Sequence, residues 1–299
     1  MPELPEVETI ARGLAKRVTG DIIESVWLGQ KKEPLKSPAG QIAKALEGSR
    51  ISAVRRMGKH IVFDLEPKDV EPPSAGSRPR GSKPRARASA GEGARPTLTR
   101  PSSVHWIVHL GMTGSLRVCE PETEIAKHTH AILKLGSDRE LRFVDPRRFG
   151  RLSVATAFDA TGVEPLEVDL ERFIPLFRGR ETPIKSALLN QKLLRGVGNI
   201  YADESLFRAG IRPRRRASTV SREQLAKLYT AVQQVLTEAI AAGGSSVSDY
   251  VDADGQEGFF QLQHRVYSRE GEPCLVCKSP IKRVVIAGRS SHYCPKCQR

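Results

Sequence analysis

Four cysteines in one short C-terminal segment constrain this chain more than any other feature. Cys274-x-x-Cys277 is followed, after sixteen intervening residues, by Cys294-x-x-Cys297. Two thiol pairs at that spacing suit one tetrahedral site of four thiolates, and the donor set is that of a structural Zn²⁺. Two separate disulfides are the alternative, and they would need an oxidising compartment for which the sequence shows no secretion signal. One structural zinc ion is therefore expected. Between the pairs, Ile281–Ile286 reads as a strand, Gly288-Arg289 as a turn and His292-Tyr293 as part of the returning strand. The segment is predicted to be a zinc-stapled β-hairpin. Cys119 lies outside the pattern and reads as a packing residue.

The rest of the chain must account for a formal net charge of +14. A surplus of that size points to a polyanionic partner, most often nucleic acid. Residues 67–102 hold eight Lys/Arg against three Asp/Glu, so most of the surplus lies elsewhere. That segment is built of Pro, Ser, Gly, Ala and Arg with almost no large apolar side chain, and it reads as a disordered basic insertion between two neighbouring strands. The apolar runs, such as Val104 to Leu110, are far shorter than the roughly 18 residues a membrane span needs. The acidic opening Met1-Pro2-Glu3-Leu4-Pro5-Glu6 is not that of a signal peptide. A cytoplasmic, nucleoid-associated protein without membrane contact is expected.

Periodicity divides the chain. Val7, Ile10, Leu14 and Val18 recur at helical spacing, after prolines that sit where a helix can begin. Short Val/Ile/Leu-rich runs follow at Ser25–Leu28, Ile51–Arg56, His60–Leu65, Val104–Leu110, Ser115–Val118, Ala131–Leu135, Leu141–Val144 and Arg151–Ala155. Few helices separate them, so a sandwich or barrel is predicted rather than a parallel sheet. A weaker helix is expected over Ala39–Glu47. From about residue 160 the pattern turns helical, over Leu166–Phe177, Pro183–Leu194, Asn199–Ala209 and Ser221–Ala242. Ser221 and Gln224 form a capping box at the start of the last helix, and Gly243-Gly244 ends it. The predicted fold is α+β and multidomain. Residues 1–160 are expected to form a helix plus β-sandwich, 161–255 a helical domain and 256–299 the zinc-stapled segment.

Several residues carry chemistry. Were Met1 removed, Pro2 would expose a secondary amine. Free α-amino groups titrate near 7.7–8.0, so part of it would be uncharged at neutral pH. Such an amine can condense with an aldehyde carbon to give an iminium, and Glu3 beside it could shuttle protons. Read alone, Pro-Glu is an ordinary helix start, Lys59 a surface strand lysine, and Met112 and Phe149 core residues.

Five separated motifs change that weighting: Met1–Thr9, Met57-Gly58-Lys59, His109–Leu116, Asp145–Gly150 and Gly196–Ala202, with the four cysteines after them. In this order they resemble the bacterial formamidopyrimidine-DNA glycosylases over nearly the whole chain except the insertion. The resemblance implies an N-terminal helix with a β-sandwich, a helix–two-turn–helix domain and a zinc finger. It implies excision of oxidised purines, chiefly 8-oxoguanine and formamidopyrimidines, from damaged double-stranded DNA, followed by β,δ-elimination at the abasic site. Pro2 would be the nucleophile, Glu3 the proton donor and acceptor, Glu6 a support of the same pocket, and Lys59 a hairpin cation at the lesion backbone. Met112, Arg147 and Phe149 would fill the gap that base extrusion leaves. Asn199 would cap the helix after the Gly196–Gly198 turn and bind phosphate. Arg289 would place the finger's charge on the lesion phosphate, with Lys185 and His128 as lesser phosphate contacts.

Ser248 stands where some relatives carry lysine, in a stretch that begins the loop region contacting the flipped base, which bears on lesion preference. Two alternatives accompany the reading. An endonuclease VIII-like enzyme for oxidised pyrimidines usually opens Pro-Glu-Gly-Pro, whereas this chain has Leu4. A non-catalytic zinc-bearing DNA-binding protein has no need of Pro2, Glu3 and Lys59 together. A monomer is expected.

Overall fold

The computed structural model describes residues 1–67, 104–159, 161–246 and 258–299. Nearly all of the basic insertion, and Ser248, lie outside the described residues.

Helix α1, Leu4–Val18, buries Val7, Ile10, Ala11, Leu14 and Val18 along one stripe, as its spacing predicts. Gly20 turns the chain at φ +93°, a conformation that favours glycine, and releases it into β1, Ile23–Leu28. Helix α2 covers Ala39–Leu46. Seven further strands follow: β2 Arg50–Met57, β3 His60–Glu66, β4 Val104–His109, β5 Ser115–Cys119, β6 Thr129–Leu135, β7 Glu140–Val144 and β8 Arg151–Ala155. They make two four-stranded antiparallel sheets, ordered β2-β3-β4-β8 and β1-β6-β7-β5. One core lies between them, with Phe63, Trp106, Phe143 and Leu116 meeting the apolar stripe of α1. This is the predicted helix plus β-sandwich. Cys119, at the end of β5, is half-buried.

The second core is helical and begins with Leu4, so α1 serves both cores. Two predicted helices are shorter than their apolar spacing implied. Over Leu166–Phe177 the helix is a single turn, α3 Leu170–Phe173, followed by a 3₁₀ turn at Ile174–Leu176. Asp169 caps α3 by accepting from Arg172 N–H at 2.8 Å, and Pro175 lacks the N–H to continue an α-helix. Over Pro183–Leu194 only α4, Ile184–Leu189, is helical. Gln191 takes over the chain beyond it, donating to the Leu189 and Val197 carbonyls and accepting from Gly196 N–H. That side chain builds the turn leading into α5, Asn199–Arg208. The long helix α6, Arg222–Ala241, has the predicted Ser221–Gln224 capping box. Among the described residues no helix is long and apolar enough to cross a membrane.

The finger hairpin pairs β9, Lys282–Ile286, with β10, Arg289–Tyr293. Its two-residue tip is Ala287-Gly288, at φ +46° and +74°, which gives the mirror-image turn that suits a twisted hairpin. Arg289 is thus the first residue of β10 and not part of the turn. The finger's own core is small: Phe207, Val266, Cys274, Ile281 and Cys294.

Candidate active site and nucleic-acid cleft

A cleft of about 750 Å³ opens where the sandwich, the helical domain and the finger meet. Glu3, Lys59, Met112 and Asn199, from four of the five motifs, line its wall together with Arg289 of the finger.

Glu3 enters ahead of α1 and is only 5 % exposed. Its carboxylate accepts from Ile200 N–H at 3.2 Å and Tyr201 N–H at 3.5 Å, the first free amides of α5. An anion at a helix N-terminus satisfies orphan donors and meets the positive end of the helix dipole. Gly198 makes this approach possible, because a Cβ there would collide with the Glu3 carboxyl. Burial drives the Glu3 pKa up to about 7, against the opposing pull of the Lys59 ammonium. A carboxyl poised near neutrality can both give and take a proton.

The sequence predicts that Asn199 caps α5. The cap position belongs instead to Gly198, which has no side chain to offer, and Glu3 supplies the oxygen to an amide 197 residues away in sequence. The Asn199 side chain turns to Tyr267, a further cleft residue.

Lys59 follows Gly58, whose φ of +58° closes the β2–β3 turn. Lys59 is 9 % exposed, and burial lowers its pKa while Glu3 raises it. A residue the sequence did not flag fixes this turn. Glu164 accepts from Gly58 N–H at 2.7 Å and pairs with Arg56 at 2.7 Å and Arg195 at 2.9 Å. Arg56 also reaches Glu8 of α1 at 2.7 Å. This buried network joins the sandwich to the helical domain. No local pattern marks Glu164, since its partners come from two distant segments, the β2–β3 turn and Arg195.

Glu6 does not line the cleft. Its carboxylate accepts from Glu3 N–H and Ser245 N–H, both at 2.8 Å, and from the Tyr201 hydroxyl. It locks the entry of α1 onto α5 and so positions Glu3. Pro2 is half-buried, and Met1 lines the cleft ahead of it.

The predicted wedge residues lie on two adjoining loops, and of them Met112 lines the cleft. Met112 and Phe149 are 42 % and 52 % exposed, unlike core residues, and the Arg147 guanidinium lies 4.8 Å from the Phe149 ring centroid. Buried Asp145 organises both loops, accepting from the Thr113 hydroxyl and from Gly150 N–H at 2.7 Å each. Gly111 lets the Met112 loop press on the Phe149 backbone. His109, also in the wall, accepts from Gly111 N–H through Nδ1 at 3.1 Å. Burial drops its pKa to about 4, so it is neutral at pH 7 with its proton on Nε2. His128 is exposed but lies outside this cleft, in a second depression.

Lys185 departs from the expected phosphate contact. It is fully buried, paired with Asp203 at 2.7 Å, and donates to the Ser290 carbonyl at 2.7 Å. An enclosed ammonium with its bonds committed holds α4, α5 and β10 together. Asp203 also accepts from His292 N–H at 2.9 Å, and Glu204 from the amides of Arg265, Val266 and Tyr267. Helix α5 therefore carries the finger on two buried carboxylates and orients Arg289.

In the finger, the Sγ atoms of Cys274, Cys277, Cys294 and Cys297 all lie within 4.8 Å of one another. Tetrahedral zinc with Zn–S near 2.3 Å needs sulfurs roughly 3.7 Å apart. The observed 3.9 Å between Cys274 and Cys297 and 3.3 Å between Cys277 and Cys294 fit that cage. The four cysteines are a site for one zinc, which when bound supplies a structural cross-link.

Known proteins agree with this architecture. Family models match for the formamidopyrimidine-DNA glycosylase N-terminal domain at residues 1–152, its H2TH domain at 161–251, and the zinc finger found in FPG and IleRS at 271–299. The formamidopyrimidine-DNA glycosylase of Solibacter usitatus is 44% identical over 100% of both chains, and that of Thiobacillus denitrificans 38%. The crystal structure of the MutM (FPG) protein from Thermus thermophilus superposes with a TM-score of 0.78 at 38% identity, covering 99% of this chain and 98% of that one. A Lactococcus lactis FPG mutant bound to Fapy-dG containing DNA gives 0.82 at 29% identity, with full coverage of both chains. The wild-type Lactococcus lactis enzyme in complex with an oxidized pyrimidine containing DNA gives 0.80 at 29%, again with full coverage of both. Three domain matches in order and full-length relatives at this identity place the chain in one family: it belongs to the formamidopyrimidine-DNA glycosylases.

Proposed function

We propose that this chain excises oxidised purines from duplex DNA and then cleaves the abasic strand, with Pro2 as nucleophile. One observation carries the reading: a carboxyl with a pKa near 7 buried next to Pro2 in the chain, with Lys59 opposing its charge, in a cleft that Met112 and Arg289 also line.

Removal of Met1 frees the Pro2 nitrogen. Its lone pair attacks C1′ of the extruded nucleotide as the glycosidic bond breaks and the base departs with a proton. Ring opening then gives an iminium between the proline nitrogen and C1′. Glu3, poised near neutrality, donates to the sugar oxygen and later accepts the proton released in elimination. The iminium withdraws electrons from C2′, so loss of that proton expels the 3′ phosphate, and a second elimination expels the 5′ one. Lys59 and Arg289 stabilise charge on the backbone phosphates. Met112, Phe149 and Arg147 hold the gap left by the base. Asn199 and His128 contact phosphates, and Glu6 and Lys185 act by positioning. The domains act as one monomer on cytoplasmic, nucleoid DNA, with boundaries near residues 160 and 255.

The test is borohydride trapping with duplexes carrying a single 8-oxoguanine or a single thymine glycol. The 8-oxoguanine duplex is expected to give a covalent adduct and strand cleavage. Protein that retains Met1 has an amide at the proline nitrogen, with its lone pair delocalised, and is expected to bind but neither trap nor cleave. Glu3→Gln should slow turnover by about 10²–10⁴-fold with binding intact. An adduct from Met1-retaining protein overturns the assignment of Pro2. Faster excision of thymine glycol would favour the pyrimidine reading, which the oxidized-pyrimidine complex of the Lactococcus enzyme keeps in view.

A further inference from the structure

The wedge loop has a second side. Arg147 and Phe149 pack on each other beside the Met112 loop, whereas Pro146 and Arg148 line a separate depression of about 370 Å³. Its other walls include Trp27 of β1, Lys31, Lys127 and His128, and none of the lining residues is acidic. Lys31, Lys127 and Arg148 are exposed, and none of them has a carboxylate partner among the described residues. Arg148 holds φ +57°, a left-handed conformation costly for a side-chain-bearing residue and typical of functional loops.

Trp27 sets this patch apart from an ordinary basic surface. It is 51 % exposed on a strand whose apolar residues otherwise serve the core. The second tryptophan, Trp106, is 1 % exposed. An indole open to solvent amid unpaired cations pairs a stacking face with phosphate-binding charges. That combination recognises unpaired nucleotides, because a base inside a duplex offers no free face.

We propose that Trp27, Lys31, Lys127 and Arg148 form a subsite for an unpaired nucleotide of the bound DNA, its base stacked on the Trp27 indole and its phosphates held by the cations. The inference rests on DNA being the substrate. It adds a preference for lesions near strand ends, gaps or frayed segments.

The test titrates the full chain, at one fixed salt concentration, with a blunt undamaged duplex and with the same duplex carrying a single-stranded thymidine tail. Tryptophan emission reports the subsite, since Trp106 is buried. The tailed duplex is expected to quench emission and bind more tightly than the blunt one. Trp27→Ala should weaken tailed-duplex binding about fivefold to a hundredfold and leave blunt-duplex binding unchanged. Trp27→Tyr should restore most of the tail preference. Equal affinity of Trp27→Ala and parent for the tailed duplex overturns the proposal. So does an equal loss on both duplexes, which would mark a patch that reads backbone charge alone. Excision of 8-oxoguanine from a blunt duplex is measured in parallel. Its absence in the parent would refute the glycosylase reading without touching the tail result.

Discussion

The two ends of the chain reach the same cleft, and they are held there by different physics. Glu3 and Lys59 are positioned by two cores and by buried carboxylates, Glu6 and Glu164, whose partners are backbone amides, arginines and the Tyr201 hydroxyl. Arg289 stands on a hairpin whose own core has five buried residues, two of them metal-site cysteines. The N-terminal corner therefore depends on packing and on protonation state. The finger depends on zinc and on two carboxylates of α5. Helix α5 is the shared element. Its N-terminus receives Glu3, and one turn later Asp203 and Glu204 receive the finger.

The sharpest way to break the comparison is to remove the metal. Structural zinc contributes on the order of 10–16 kcal/mol in small finger domains, far more than this small core replaces. Cys294→Ser, or chelation of the parent, is expected to unfold residues 271–299 and weaken DNA binding, while the sandwich keeps its melting transition. Loss of the sandwich transition on chelation would show that the two regions are not separately held.

A smaller effect is expected at the joint. Asp203→Asn leaves the Lys185 ammonium buried without its counter-charge, and breaking such a pair costs about 3–5 kcal/mol. The expected outcome is a lower melting temperature and faster proteolysis at the finger, with no change at α1. If Asp203→Asn melts like the parent, Lys185 is free to serve as the phosphate contact that the sequence resemblance implies.

The smallest effect tests the other end through pH. The folded pKa of Glu3 is raised from 4.5 to about 7, so the folded protein holds a proton that the unfolded chain has already lost. This contribution favours folding below pH 4.5 and is lost as pH rises through 7, about 3 kcal/mol in all. Glu3→Gln cannot ionise, so it is expected to be more stable than the parent at pH 8 and nearly equal to it at pH 5, by thermal melts. A variant less stable at pH 8 would mean that the α5 amides repay the burial of the charge.

Much of the fold was readable in the sequence because its signals are local. The α1 stripe, the eight short strands, the capping box of α6 and the cysteine spacing each specify structure within a few residues. The lengths of α3 and α4 were not readable. Their apolar spacing permits helix, and Pro175 and the Gln191 side chain decide where helix stops.

Within the site, motif order named Glu3, Lys59, Met112, Asn199 and Arg289, and the fold gathers them into one cleft. It could not say that Glu3 would cap α5, that Glu6 would be spent on Tyr201 and Ser245, or that Lys185 would be sealed against Asp203. Nor did it mark Glu164. Sequence by itself determined which residue types were available and which short elements they form, because periodicity, turn chemistry and ligand spacing act between near neighbours. Tertiary structure alone decided which charges are buried and with whom, because desolvation and pairing depend on segments far apart in the chain. Those decisions bring the Glu3 carboxyl close to neutrality and leave Trp27 open to solvent.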